Sequence, residues 1–234
     1  MDRVAHIRTE EKKYHDLCFE KYKLFEPGSW LHKPVKSVMG VFEKFNDRQN
    51  MNVLDLGCGI GRNSIPMAET LKNRNGRIVC VDLLESAIEK LNEYSKEYGV
   101  QQCIETVLSD IEFFNIEENE YDVIIAVSVL EHVSTEEALA RKLHEMTVGT
   151  KHNGINCIII NSNIREVVIE SNVELDPMFE VNSSTDRLLE ILDQQYKGWE
   201  VHSRLVKPMA FEIDRNDLPV KLSADCITFA VRKI

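Results

Sequence analysis

One segment, Val53–Ser64, constrains the fold of this 234-residue chain more than any other. It combines a short apolar strand, an acid within that strand, and a turn with glycines at positions 57, 59 and 61. A second apolar strand ends in Asp82, twenty-one residues after the last of these glycines. Glycines let the backbone approach a ligand, and a carboxylate at the next strand end can accept hydrogen bonds from ribose hydroxyls. The pattern therefore predicts an α/β protein that binds a nucleoside.

Apolar strand patterns and helix patterns alternate through the middle of the chain, which is typical of a parallel sheet covered on both faces. Two further strand-like runs near the C-terminus have no helix between them, which indicates an antiparallel hairpin. We therefore predict an α/β fold with a mostly parallel, seven-stranded sheet, an antiparallel C-terminal hairpin and helices on both faces. The predicted strands lie at about 51–56, 77–82, 104–108, 121–127, 155–161, 199–206 and 221–232.

We predict that residues 1–234 form a single domain with three parts. Residues 1–45 have a helical pattern, interrupted at 26–30, and are expected to form an N-terminal cap. Residues 50–161 form the predicted cofactor-binding core, with a turn at 151–154. Residues 162–234 form a substrate-side insert and the terminal hairpin, in which 162–182 show no period and are expected to be a long connection.

Composition excludes several classes of partner. The net charge of −11, with acids and bases interspersed, argues against nucleic acid and favours a small-molecule substrate. The six cysteines form no CxxC pair, so we expect no metal site. No apolar run is long enough to cross a membrane and no secretory signal is visible, so we expect a cytoplasmic monomer or homodimer without membrane contact.

The spacing of the glycines discriminates between nucleoside cofactors. A dinucleotide fold needs Gly-x-Gly-x-x-Gly, whereas here Arg62 follows the third glycine. Asp55 precedes the first glycine by two positions, and a carboxylate there would repel a pyrophosphate. The same carboxylate suits a ligand with an ammonium group and a sulfonium, and S-adenosylmethionine carries both.

Over about 50–160 the chain resembles the class I S-adenosylmethionine-dependent methyltransferases. Four motifs occur in the family's order: the Asp-x-Gly-x-Gly-x-Gly turn, the strand-two acid Asp82, the acid Asp110 after strand three, and the segment 127–133. Segments 58–64 and 196–200 are also similar to the tellurite-resistance and thiopurine-methyltransferase-like group. Residues 211–215 lack the early His-Arg pair of the tellurite-resistance members, which argues against an oxyanion substrate.

The resemblance implies S-adenosylmethionine as cofactor, S-adenosylhomocysteine as product, and a set of contacts. The three glycines would approach the methionine portion, Asp82 the ribose and Asp110 the adenine amine. Leu83 and Ile111 would flank the ring. The expected cofactor-binding residues are Asp55, Gly57, Cys58, Gly59, Gly61, Arg62, Asn63, Asp82, Leu83, Asp110, Ile111, Val127 and Ser128.

Candidate substrate residues are Trp30, His32 and His132. His132 is also the catalytic candidate, because it follows strand four and imidazole titrates in the range of a general base. Its alternative role is packing, and Trp30 alternatively anchors the N-terminal helix. The predicted function is methyl transfer to a small molecule by in-line displacement. The alternatives are a non-catalytic S-adenosylmethionine-binding regulator or subunit and a nicotinamide-dependent oxidoreductase.

Overall fold

The computed structural model describes residues 3–215 and 218–234. Its helices are α1 (Arg3–Lys21), α2 (Lys36–Phe42), α3 (Ser64–Leu71), α4 (Glu85–Glu97), α5 (Glu136–Gly149) and α6 (Thr185–Gln195). Its strands are β1 (Asn52–Leu56), β2 (Arg77–Asp82), β3 (Ile104–Leu108), β4 (Tyr121–Val127), β5 (Thr150–Val168), β6 (Glu174–Leu175), β7 (Glu200–Arg215) and β8 (Leu218–Arg232).

The sheet has the strand order β3-β2-β1-β4-β5-β8-β7, and the two-residue β6 pairs with β5 off this path. Strands β1 to β5 along the path pair in parallel, whereas β8 and β7 are antiparallel. The predicted fold class is thereby confirmed, with β6 as an unpredicted addition. The strand order reverses between β1 and β4, and in open α/β sheets ligands bind at the carboxyl ends of the strands beside such a reversal.

Neighbouring residues of β1 face opposite sides of the sheet, as strand geometry requires. Val53 belongs to a buried cluster with residues of the N-terminal region, α3 and α4. Leu54 belongs to a second cluster with residues of α5 and α6. Helices on both faces therefore exclude water from the sheet, which explains why its central strands are continuous apolar runs.

Strand β5 corrects two predictions. It runs from Thr150 through the predicted turn 151–154 and continues past 161 to Val168, so the predicted connection was wrong for 162–168. Asn153 has a φ of 65°, and the register with β4 shifts between Tyr121 and Val123, so the turn signal marks an irregularity within the strand. Residues beyond Ser162 stay in the sheet because β8 continues to pair with them after a further shift.

The terminal hairpin is confirmed, and its strands are longer than predicted. β7 and β8 pair from Glu200↔Arg232 to Arg215↔Leu218. The outer half of the hairpin has its own small apolar cluster, in which Ile164 and Leu222 pack against partly buried residues of β7. Within the described part of the chain, no helix has the length and apolar character needed to span a membrane.

Candidate functional site

The glycine turn after β1 is fastened to the end of β2. The backbone amides of Gly57 and Cys58 both donate to the carbonyl of Val81, at 2.8 and 3.1 Å. The amide of Gly59 donates to the Asp82 carboxylate, with 2.8 Å between N and Oδ2. The acid at the end of β2 therefore fixes the conformation of the turn, in addition to any contact with a ligand.

The three glycines of the turn have different surroundings. Gly57 has a φ of +70°, and a Cβ there would lie 2.4 Å from a Val129 methyl group. Gly61 has a φ of +97°, and a Cβ there would lie 2.5 Å from Leu91. At Gly59, with a φ of +51°, the nearest atom to a Cβ would be Trp30 at 4.0 Å. Space for a ligand to approach the backbone therefore exists at Gly59, while the other two glycines accommodate the protein's own side chains.

Asp82 retains the capacity to accept hydrogen bonds from a ligand. Its Oδ1 accepts from the Leu84 amide at 3.0 Å and its Oδ2 from Gly59. Each carboxylate oxygen can accept two hydrogen bonds, so both have a remaining acceptor position. Burial raises the pKa of Asp82, and these amides oppose that effect. Leu83 next to it is 46% exposed, so the end of β2 combines a carboxylate and an uncovered apolar side chain.

Asp55 lies beneath the turn and is 1% exposed. Its Oδ2 accepts from the Ser64 hydroxyl at 2.5 Å, which connects β1 to the first residue of α3. Burial raises the pKa of Asp55 to about 7, the Ser64 hydroxyl opposes the shift, and Asp82 adds to it. Cys58 is likewise buried, and burial is the main reason that its thiol pKa is raised. Asp55 supports the turn from below.

Arg62 and Asn63 contact the N-terminal region. Arg62 Nε donates to the carbonyl of Lys33 at 2.5 Å, and its guanidinium lies 5.8 Å from the centre of the Trp30 ring. Asn63 Oδ1 accepts from the backbone amide of Val35 at 3.0 Å. These two residues therefore hold the segment between α1 and α2 against the glycine turn.

Of the two candidates before α2, only Trp30 adjoins the turn. Its ring is half-exposed, approaches Gly59, and makes an edge contact with His15 at 6.0 Å between centroids. His32 instead has Nδ1 3.2 Å from the carbonyl of Phe25, within the break that separates α1 from α2. The structure thus places Trp30 at the edge of the site and His32 in the internal support of the cap.

The acid after β3 is in contact with α1. Asp110 Oδ1 accepts from the Glu112 amide at 2.9 Å, and its Oδ2 lies 2.8 Å from Arg8 Nη1. Ile111 beside it is buried. At the end of β4, Val127 is partly buried, and Ser128 is exposed with a φ of 50°. Val127 is the last residue of β4, and Asp110 and Ser128 follow parallel strands at their carboxyl ends, the same edge as Asp82.

His132 lies between two carboxylates. Its Nδ1 is 3.0 Å from Glu180 Oε2, its Nε2 is 3.8 Å from Glu11 Oε2, and its ring stacks on Phe179. Burial lowers the pKa of His132, but Glu180, Glu11 and Glu131 outweigh it and raise the pKa to about 9. The imidazole is therefore protonated at neutral pH, and a protonated imidazole cannot accept a proton.

Several residues of the site gave no sequence signal that identifies their role. Arg8 and Glu11 lie three positions apart on α1 and so share a helix face, but nothing in the sequence says that this face meets the sheet. Glu180 is in the region read as a featureless connection, 48 positions from His132. Glu131 follows β4 and Asn161 lies within the neighbouring strand β5, and only the parallel pairing of these strands indicates that the two residues meet.

Trp30 lies beside the glycine turn, and α1 contacts the same edge of the sheet through Arg8 and Glu11. Two cavities of about 370 and 360 Å³ lie elsewhere, one on the outer hairpin and one beside α2, and no predicted cofactor residue lines either. Across residues 3–215 and 218–234 no group of three or more His, Cys, Asp or Glu side chains is placed to hold a metal ion.

Part of the chain is similar to known methyltransferases. Residues 53–154 match the family model described as a methyltransferase domain. Over 126 residues the chain is 32% identical to a ubiquinone biosynthesis O-methyltransferase of Rickettsia canadensis, covering 53% of this chain and 49% of that protein. It is also 32% identical over 103 residues to a (S)-coclaurine N-methyltransferase of Thalictrum flavum, covering 44% and 27%. The chain thus spans half or less of these relatives.

Solved structures share the fold. TehB from Haemophilus influenzae has a TM-score of 0.62 at 23% identity, with 84% of this chain and 62% of that chain covered. The N-methyltransferase NodS from Bradyrhizobium japonicum, solved with S-adenosylhomocysteine, has a TM-score of 0.52 at 14% identity, with 84% of each covered. Over residues 53–154 the chain is therefore similar to a methyltransferase domain, and it shares its fold with the solved structures of this kind.

Proposed function

We propose that this protein transfers a methyl group from S-adenosylmethionine to a small molecule by in-line displacement. The observation that carries the proposal is the arrangement at the end of β2. There the Asp82 carboxylate accepts a hydrogen bond from the Gly59 amide and has acceptor positions remaining. It lies beside the exposed Leu83 and beside the one glycine of the turn that has open space, Gly59. Such a carboxylate suits the paired hydroxyls of a ribose, and the apolar side chain suits a purine.

The residues of this site fit the cofactor, although α1 closes over part of it. Asp82 would accept from the ribose hydroxyls and Asp110 from the adenine amine, with Leu83 and Ile111 beside the ring. Val127 and Ser128, at the end of β4, are placed for the sulfur end. When bound, the cofactor supplies an electrophilic methyl group on a positively charged sulfur, so the protein's main task is alignment, which can contribute about 7–11 kcal/mol.

We propose that His132 contributes to catalysis as a cation and not as a general base. Its contacts with Glu180 and Glu11 keep it protonated near neutral pH. In that state it orders the carboxylates around the acceptor and holds Phe179 against the site. Trp30, near Gly59, is proposed to cover the methyl donor and acceptor and to exclude water.

The test is release of S-adenosylhomocysteine from the whole protein with four acceptor classes: a thiol, arsenite, tellurite and an amine. Acceptor-dependent release supports methyl transfer. Cofactor binding measured by calorimetry, without release for any acceptor, would instead indicate the non-catalytic regulator or subunit. Binding of NAD without binding of S-adenosylhomocysteine would contradict both and revive the oxidoreductase.

The proposal also covers the domain organisation of the protein, its partners, its location and its narrower kinship. We infer one domain over 1–234, with 1–45 as its cap, that acts on a small molecule and not on nucleic acid, as a monomer or homodimer. A cytoplasmic location is supported by the six free thiols, since disulfides are rare in reducing compartments. The narrower kinship with the tellurite-resistance and thiopurine-methyltransferase-like group rests on segments 58–64 and 196–200.

A further inference from the structure

A group of acidic and amide side chains lies around the carboxyl end of β4 and the neighbouring middle of β5, on the acceptor side of the predicted methyl donor. We call it the acceptor cluster and define it as Glu11, Glu131, Asn161 and Glu180. Glu131 is 0% exposed and Asn161 is 7% exposed. Asn161 Nδ2 also lies 3.5 Å from the hydroxyl of Ser128, which connects the cluster to the end of β4. The cluster therefore adjoins the place where the transferred methyl is expected.

Among the described residues, three buried oxygens of this cluster have no hydrogen-bond partner, and one of them, Glu180 Oε1, lies 3.5 Å from Arg8 Nε in an ion pair. Glu131 Oε1 accepts twice from Asn161, from Nδ2 at 2.7 Å and from the backbone amide at 3.3 Å. The other oxygen, Oε2, is buried without a partner, and so is the amide oxygen Oδ1 of Asn161. A buried acceptor without a donor is unfavourable, and native proteins usually pair such groups. An amide oxygen is an acceptor, and so is an oxygen of an ionised carboxylate, so with Glu131 ionised the group that would satisfy both atoms is a donor.

The charge around the cluster also favours a positively charged ligand. The carboxylates are those of Glu11, Glu131 and Glu180, together with the adjacent Asp110. The basic groups that face them are Arg8, His132 and His15, of which Arg8 lies between Asp110 and Glu180 and His15 lies 3.3 Å from Glu11. Four acids thus face one arginine and two histidines. An anionic acceptor such as a thiolate or an oxyanion would be repelled by this excess, whereas an ammonium group would be attracted.

We propose that the methyl acceptor is the nitrogen of an amine, which enters as an ammonium ion and donates N–H bonds to Glu131 Oε2 and Asn161 Oδ1. This inference rests on the methyl-transfer function proposed above and deepens it by naming the acceptor atom. The carboxylate gives the bound amine its charge partner, and the amide oxygen fixes the direction of the nitrogen lone pair.

The transfer balances with the groups present. The ammonium first gives one proton to the Glu131 carboxylate, which leaves a lone pair on nitrogen. That pair forms the new N–C bond, the S–C bond breaks, and its electrons stay on sulfur in S-adenosylhomocysteine. The product is an N-methylammonium ion, and the proton on Glu131 leaves to solvent. His132 takes no part as a base, in agreement with its protonated state.

The experiment identifies the acceptor atom even while the acceptor molecule itself is unidentified. The intact protein is incubated with a small-molecule cell extract and S-adenosylmethionine labelled with ¹³C in its methyl group. Methyl carbons bound to nitrogen, oxygen and sulfur are then distinguished by their NMR shifts. The reaction is repeated with Glu131→Gln, which keeps the shape and removes the charge, and with the matched control Glu136→Gln, whose carboxylate pairs with Arg187 outside the site.

We expect label on nitrogen, with a rate that falls at least about tenfold in Glu131→Gln and is unchanged in Glu136→Gln. We also expect the affinity of Glu131→Gln for S-adenosylhomocysteine to stay within about twofold of the wild type, because the cluster faces the acceptor. Label on oxygen or sulfur in the wild-type reaction would overturn the amine assignment while leaving methyl transfer intact. No labelled product in any fraction would overturn the proposed function itself. The wild-type arm decides the question even if Glu131→Gln fails to fold.

Discussion

The guanidinium of Arg8 lies 2.8 Å from the carboxylate of Asp110, which joins the first helix of the chain to the acid that follows β3. The same guanidinium is 3.5 Å from Glu180 on the opposite side. Because Asp110 is the expected partner of the adenine amine, Arg8 and the ligand compete for one carboxylate. Helix α1 therefore contacts this edge of the sheet through an ion pair that an adenine amine bound at Asp110 would have to share or replace.

Replacing Arg8 with Gln should speed ligand entry. Loss of a partly exposed ion pair of about 1 kcal/mol should raise the association rate of S-adenosylhomocysteine by about fivefold. The rate is measured by stopped-flow, with the fluorescence of Trp30 as reporter. Lys13→Gln is the matched control, since Lys13 lies on the same helix and pairs with Glu10. Equal rates in the wild type and both variants would show that this ion pair does not limit entry.

Alanine at two glycines of the turn should separate folding from binding. Gly57→Ala places a methyl 2.4 Å from Val129 at a φ of +70°, so we expect a loss of at least about 3 kcal/mol in the free energy of unfolding. Gly59→Ala meets no such contact and should cost about 1 kcal/mol, while it weakens cofactor binding. Urea unfolding and calorimetry check the two effects. A Gly59→Ala protein that binds with wild-type affinity would contradict the close approach assigned to Gly59.

The ion pairs of His132 should make stability fall at alkaline pH. The folded pKa of about 9 lies above the usual value of 6.5, so between these values the folded state binds more protons than the unfolded state. The stabilisation is complete below about pH 6.5 and is lost as pH rises through 9. We expect an added slope of up to about 1.4 kcal/mol per pH unit in wild type relative to His132→Gln. Parallel curves from urea unfolding at pH 7, 8 and 9 would disprove the protonated state.

Removal of the Ser64 hydroxyl should destabilise the turn in a pH-dependent way. The hydroxyl opposes the rise in the pKa of Asp55, so Ser64→Ala should raise that pKa above about 7. A raised acid pKa means that stability decreases as the group ionises, so the cost of about 1–3 kcal/mol should be larger at pH 8 than at pH 5.5. Ser95→Ala is the control, because this buried hydroxyl donates to the carbonyl of Asn92. If the loss in the free energy of unfolding of Ser64→Ala is the same at pH 5.5 and at pH 8, as is expected for Ser95→Ala, then Asp55 does not titrate as stated.

The central sheet could be predicted from the sequence because its information is local. The buried parallel strands are mainly apolar segments that can be recognised one at a time. Asp55 lies within β1 and Asp82 ends β2, at the positions that the sequence pattern predicts. The extension of β5 to Val168 could not be predicted, because 162–166 read Ser-Asn-Ile-Arg-Glu and only pairing with β8 keeps them in the sheet. Turn residues such as Asn153 indicate a bend and do not say whether the strand continues.

The site was less predictable because its contacts cross the chain. In the sequence, the three glycines of the turn are equivalent candidates for close approach to a ligand. Only the packing of Val129 and Leu91 distinguishes Gly59 from the other two. The charge of His132 depends on Glu11 and Glu180. These two residues are distant in sequence, and both contact His132 in the folded chain. A spacing pattern in the sequence indicates which residues are neighbours along one helix or strand. The partners of His132 lie elsewhere, because Glu11 is on α1 and Glu180 is in the connection before α6.

The most direct test of the account is calorimetric titration of S-adenosylhomocysteine into the wild type and into Asp82→Ala, with circular dichroism to show that both are folded. We predict binding to the wild type and a dissociation constant at least about tenfold higher for Asp82→Ala, because the carboxylate accepts the ribose hydroxyls. A folded Asp82→Ala protein with unchanged affinity, or a wild type that binds no S-adenosylhomocysteine, would contradict the account.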